Sequence, residues 1–88
     1  MAHGARSVPD IPPNVVVGAR AAVRAATDGR PVAALVIASD APREETDPVR
    51  RVAAERSLVL IETDSALALG ARCGLRRPVA ALAELRTA

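Results

Sequence analysis

A small α/β domain, one sheet with helices on both faces, is the fold class the sequence predicts. Three observations carry the prediction. The stretch Val32 to Ser39, VAALVIAS, is apolar almost throughout, as expected of a strand covered on both faces. Short apolar runs of this kind alternate along the chain with stretches of helical period. The 88 residues suffice for one hydrophobic core and not for two.

The elements follow in order. Residues 1–13 contain Pro9, Pro12 and Pro13, each lacking an N–H and restricting its predecessor. They read as a flexible, proline-containing arm, and residues 14–88 as a single domain. Val15-Val16-Val17 is a short β-branched strand ending at Gly18. Ala19 to Asp28 reads as a helix, because Ala19, Ala22, Val23 and Ala26 share one face. Arg20 and Arg24 lie one turn apart on another face, and Asp28-Gly29 closes the helix. After the strand Val32–Ser39, Asp40-Ala41-Pro42 makes a stop, and Arg43 to Thr46 reads as a charged loop. Asp47-Pro48 predicts a helix start, a capping carboxylate followed by proline in the first turn. Val49, Val52 and Ala53 form its inner face, and Arg51 and Glu55 can pair across one turn.

Leu58 to Glu62 predicts a third strand. Thr63 or Asp64 is the expected cap of a helix running through Leu67 and Leu69 to Cys73, with Gly74 as the left-handed residue after it. Leu75 to Pro78 is a basic loop, Val79 to Leu82 a last short strand, and Ala83 to Arg86 a terminal helical turn. The order is β-α-β-α-β-α-β.

Composition narrows the function. Half of the residues are hydrophobic and none is aromatic, so the core must be built from Ala, Val, Leu and Ile, and stability should be modest. The 12 basic and 10 acidic residues leave a net charge of +2, and every basic residue is arginine. The arginine fork suits phosphates and guanine edges. A GC-rich genome favours the same codons, so the positions of the arginines say more than their number. Cys73, the only cysteine, allows no intramolecular disulfide and no cysteine metal cluster, in keeping with a reducing cytoplasm. The stretch Met1 to Asn14 has no apolar core of the secretory kind. No apolar run approaches the length of a membrane span.

Four stretches, in their order and spacing, resemble one family. They are Val17-Gly18-Ala19-Arg20 through Arg24, Ala38-Ser39-Asp40-Ala41, Leu69-Gly70-Ala71-Arg72-Cys73-Gly74, and Arg77-Pro78-Val79. They resemble the superfamily of large-subunit ribosomal proteins seven-Ae and thirty-e. It includes small bacterial homologues and the kink-turn protein of box C/D and spliceosomal particles. The resemblance runs from about Asn14 to Leu85. It implies a three-layer α-β-α sandwich with a small mixed four-stranded sheet. It implies a non-enzymatic, cofactor-free, cytoplasmic protein that binds structured RNA, a kink-turn or ribosomal RNA, where sheared G·A pairs bend the duplex. The implied RNA-binding residues are Gly18, Arg20, Arg24, Asp40, Arg76, Arg77, Pro78 and Val79. Arg20 and Arg24 would contact guanine edges or phosphates, and Arg76 and Arg77 the backbone. Pro78 with Val79 would pack against an extruded base.

The sequence departs from the family pattern at definite places. Ala21 stands where the family presents Glu or Gln, and Ala66 where it has a basic residue. Pro42 follows Ala41 directly, and acids crowd in at Glu44, Glu45 and Asp47. The alternative is a protein-interaction module on the same fold, its RNA site worn away.

Other chemistries find less support. Asp40 ends an apolar strand as a phosphoacceptor does, but Gly18 and Ala19 stand where an acidic pair would be needed, so Asp40 is expected to cap the turn before Asp47. Cys73 at a helix C-terminus has its thiolate disfavoured and reads as a packed thiol. His3 has no neighbouring ligand for a metal. Gly18 belongs to no phosphate-binding loop.

Overall fold

A computed structural model describes residues 14–63 and 65–86. The proline-containing arm of residues 1–13 lies outside the described residues. In chain order the elements are β1 (Val15–Val17), α1 (Ala19–Thr27), β2 (Val32–Ala38), α2 (Arg43–Glu55), β3 (Leu60–Thr63), α3 (Ala66–Arg72) and β4 (Ala81–Leu85). The strands form one sheet in the order β1-β4-β2-β3. β4 runs antiparallel to both β1 and β2, while β2 and β3 are parallel, so the sheet is mixed.

The pleat sorts side chains into two cores. Leu35 and Ile37 of β2, with Ala81, Ala83 and Leu85 of β4, face Ala22, Ala25 and Ala26 of α1 and Val49, Val52 and Ala53 of α2. Val36 and Ala38, with Leu82, face the other way onto Leu69 of α3 and Cys73 at its C-cap. Two helices on one face and one on the other make the three-layer α-β-α sandwich. Cys73 is a packed thiol, and burial pushes its pKa up while Arg72 pulls weakly in the opposite direction.

Four local expectations are corrected. Helix α2 begins at Arg43, so the stretch Arg43–Thr46 is its first turn and Pro48 lies inside it. The Pro42 carbonyl accepts from the Glu45 and Thr46 N–H groups (3.0 and 3.2 Å), and Glu44 and Glu45 complement the positive end of the helix. Arg51 and Glu55 form no ion pair. Asp47 instead meets Arg43 at 3.5 Å and Arg50 at 3.8 Å, and Arg50 reaches Glu62 of β3 at 3.4 Å.

The cap of α3 is Ser65, whose hydroxyl accepts from the Ala68 N–H at 2.9 Å. Gly74 follows the helix with a φ of 76°, the left-handed residue expected there. Residues 83–86 form no helical turn. β4 extends to Leu85, while Val79 precedes the strand. Ala-Leu-Ala-Glu-Leu has good helix propensity, but in this chain it fills the slot between β1 and β2, and that pairing overrides propensity.

Candidate nucleic-acid interface

One end of the sheet gathers most of the residues singled out by sequence. There β1, β2 and β3 terminate and β4 begins. The Gly18 N–H donates to the Ala81 carbonyl, the Ala38 N–H to the Ala80 carbonyl, and the Val79 N–H to the Ala66 carbonyl, each at 2.9 Å. The Ala66 N–H, first of α3, donates to Asp40 Oδ1 at 2.7 Å. These bonds join the first turn of α1, the β2–α2 turn, the start of α3 and the loop before β4 into one platform. Asp40 therefore ties the turn after β2 to the start of α3, where it was expected to cap the turn before Asp47.

Gly18 sits at the N-cap of α1 with a φ of 108°, a conformation side chains rarely adopt, and its Cα faces open space. The chain turns there from strand into helix, and among the described residues no side chain caps the helix end. Arg20 and Arg24 are exposed. Arg20 lines an open groove of about 500 Å³ with Ala19 and Val23 on one wall and Glu44, Glu45 and Pro48 on the other. Arg24 lies one turn further on, in the last turn of α1, away from the strand ends.

The loop before β4 is pinned onto α3. The Leu75 N–H donates to the Gly70 carbonyl at 2.9 Å, and a Cβ on Gly70 would collide with the Arg77 carbonyl oxygen. Arg76, Arg77 and Pro78 are exposed on this loop. Val79 is not: it is 2% exposed and packs on the core under α3. The expectation that Val79 packs against a base is corrected accordingly, and the exposed apolar surface belongs to Pro78.

A second open groove, of about 420 Å³, lies between that loop and the β2–α2 turn, lined among others by Asp40, Pro42, Glu45, Leu67 and Pro78. Sequence reasoning missed Pro42, Glu45 and Leu67 as parts of this surface. It also missed the reason for Gly70, although the glycine was part of a recognised stretch. Among the described residues there is no cluster of His, Cys, Asp and Glu suited to a metal ion, and no helix is long and apolar enough to cross a membrane.

The sequence matches the ribosomal protein L7Ae/L30e/S12e/Gadd45 family over residues 7–87. The chain belongs to that family. Among solved structures it is similar to the Giardia lamblia 15.5kD RNA binding protein, with a TM-score of 0.78 and 21% identity. That match covers 84% of this chain but 62% of the Giardia protein, so the chain spans less than two thirds of that relative's length. It is also similar to a Bacillus halodurans protein of unknown function, with a TM-score of 0.74, 16% identity, and coverage of 84% of this chain and 73% of that one. Both likenesses are at the level of fold. No curated protein matches the sequence.

Proposed function

We propose that this protein is a non-enzymatic RNA-binding member of the family that recognises a kink-turn or a similar sharply bent structured RNA. The observation that carries the reading is the platform at one end of the sheet, to which the start of α1 and the pinned arginine loop before β4 are both bonded. A helix N-terminus offers free N–H groups to phosphate. Arg20 and Arg24 are exposed on that same helix, and Arg76 and Arg77 on the loop before β4, where they bind backbone phosphates or guanine edges. Pro78 gives an unpaired base an apolar support. Family membership and the name of the Giardia relative support RNA as the partner.

Titration of a labelled kink-turn RNA tests the reading, beside a copy in which the guanines of the sheared G·A pairs are changed. The intact RNA should bind about tenfold or more tightly, and affinity should fall with rising salt. Equal binding of both RNAs would refute kink-turn recognition. One observation favours a second reading, a protein-interaction module: β3 is an edge strand, and Val59 just before it and Ile61 within it are 58% and 42% exposed.

A further inference from the structure

The sheet has two edges, β1 and β3, and they are built differently. β1 is three residues long and follows Pro12-Pro13 in the sequence, and shortness and proline both blunt an edge. β3 has no proline, no lysine and no shift in its register with β2. Its one charged residue, Glu62, is held by Arg50 at 3.4 Å. Leu60 is 37% exposed, beside the more exposed Val59 and Ile61.

The hydrogen bonds to β2 show which backbone groups of β3 point outward. The Leu35 N–H donates to the Val59 carbonyl and the Ser39 N–H to the Thr63 carbonyl, both at 2.8 Å. A parallel ladder uses alternate residues of a strand, so Val59, Ile61 and Thr63 turn their backbone groups to β2. Leu60 and Glu62 turn theirs away from the sheet, where only a further strand can use them. The side chains alternate as well. Leu60 and Glu62 lie on the α2 face, where Glu62 meets Arg50. Val59, Ile61 and Thr63, all β-branched, lie on the α3 face, in register with Val36 and Ala38.

We infer that β3 pairs with β3 of a second copy of this chain, antiparallel and centred on Ile61, joining two sheets into one. The edge is self-complementary in that register. Ile61 of one copy lies on Ile61 of the other as a close pair without mutual hydrogen bonds, and Leu60 of each lies opposite Glu62 of the other as a pair exchanging two. On the α3 face Val59 of each copy meets Thr63 of the other, so β-branched side chains pair across the seam. Neighbouring registers fail. Centring on Glu62 would set two carboxylates against each other. Centring on Leu60 would require the Leu58 N–H, which already donates to the Ala53 carbonyl at 2.8 Å. The charges beside the edge cancel within each copy, because Arg43, Asp47, Arg50 and Glu62 form a run of ion pairs. Three apolar side chains from each copy fall short of the roughly 1,200 Å² of a stable interface, so the dimer is weak and needs high concentration. The pairing rests on the protein-interaction reading above, for which it names a second copy as the occupant, and it holds whether or not the chain binds RNA.

Sedimentation equilibrium of the full chain, freed of nucleic acid, tests this from micromolar to millimolar concentration. Interference optics follow it, because the sequence has no aromatic residue. The mass should rise from monomer toward dimer with concentration. Ile61→Lys sets two cations together at the centre and should abolish that rise. Cysteine substitutions read the register and keep the test open if Ile61→Lys does not fold. Ile61→Cys puts two thiols where the Cα atoms lie about 4.5 Å apart, within disulfide reach. Val59→Cys puts them roughly 13 Å apart along the strands, out of reach. With copper phenanthroline as oxidant, Ile61→Cys should run as a cross-linked dimer. Val59→Cys should stay monomeric, like the unsubstituted chain, whose Cys73 is buried. A monomer at every concentration, or a dimer unaffected by Ile61→Lys, would overturn the pairing and leave the edge open to a different chain. Equal cross-linking of the two cysteine variants would overturn it too. Hydrogen exchange of the dilute monomer tests the protein-interaction reading itself: Leu60 and Glu62 amides already protected there would mean that the chain covers its own edge, and both would fall.

Discussion

Substituting Gly70 by Ala opposes two effects whose sizes differ enough to predict the winner. Gly70 lies in α3, where alanine is favoured over glycine by about 1 kcal/mol. Its backbone is helical, so no left-handed strain is at issue. The obstacle is steric: a Cβ would collide with the Arg77 carbonyl oxygen, and lie 3.1 Å from its carbonyl carbon and 3.5 Å from Val79 Cγ2. The first two atoms are backbone and cannot rotate aside. Relief requires the loop to lift off α3. That strains or breaks the Leu75–Gly70 and Val79–Ala66 hydrogen bonds, worth about 0.5–1.5 kcal/mol each. It also loosens Val79, which is 2% exposed and worth about 1.5–3 kcal/mol if fully uncovered. With the gain in propensity subtracted, a net loss of about 1.5–5 kcal/mol remains, equivalent to a fall in Tm of ~6–40 °C for a domain of this size. Thermal unfolding followed by far-UV circular dichroism measures it. Fluorescence cannot, because the sequence has no aromatic residue. Ala68→Gly on the exposed side of α3 gives the propensity effect alone. A Tm for Gly70→Ala equal to or above that of the unsubstituted protein would refute the close approach of loop and helix.

Other outcomes separate a defined interface from diffuse attraction. Arg24→Ala and Arg77→Ala should each weaken kink-turn binding by about 1–3 kcal/mol, and Arg51→Ala, in the second half of α2, by almost nothing; equal losses in titrations of all three would mean no defined site. Ala21→Gln, on the exposed first half of α1, should strengthen binding by about 0.5–1.5 kcal/mol through one new neutral hydrogen bond. That gain should appear with the intact kink-turn and vanish when its G·A guanines are changed. Burial raises the Cys73 pKa, so the native state keeps a proton that the unfolded chain releases at alkaline pH. Unfolding free energy should accordingly fall as pH rises through the alkaline range, and Cys73→Ala should flatten that dependence in denaturant titrations.

The layers of the fold were legible because the hydrophobic pattern encodes them. VAALVIA, a short β-branched apolar run, is a strand covered on both faces, and Ala22, Ala26, Val49, Val52 and Ala53 fell on the faces their spacing assigned. What failed was local punctuation. Residues 83–86 carry helix-favouring Ala, Glu and Leu, and nothing local reveals that β1 and β2 leave a gap of strand width between them. Such a pairing is a long-range fact, formed with residues almost seventy positions away at Val15↔Glu84. The cap of α3 went to Ser65 and not to its neighbours because boundaries are set by whichever side chain reaches the free N–H groups.

The candidate interface turns on one such boundary. Asp47-Pro48 carries the stronger local start signal, a capping carboxylate and a proline, whereas Pro42 at the actual N-cap offers no side-chain hydrogen bond. A weaker signal was nonetheless present. Thr46 stands one turn before Val49 and is 1% exposed, so the buried stripe continues back past Asp47 if Thr46 is counted in it. Two acids at Glu44 and Glu45, ahead of that stripe, complete the pattern of a first helical turn. Starting the helix five residues earlier changes the electrostatics of the whole surface. As a loop, Glu44 and Glu45 would be free to turn into solvent. As helix, they form the wall opposite Arg20, and Glu45 also enters the groove under Pro78. The net charge of +2 conveys nothing of this arrangement. Arginines on α1 and on the loop before β4 stand at the margins of a surface that carries carboxylates between them, so an anionic partner is attracted at the margins and repelled at the centre.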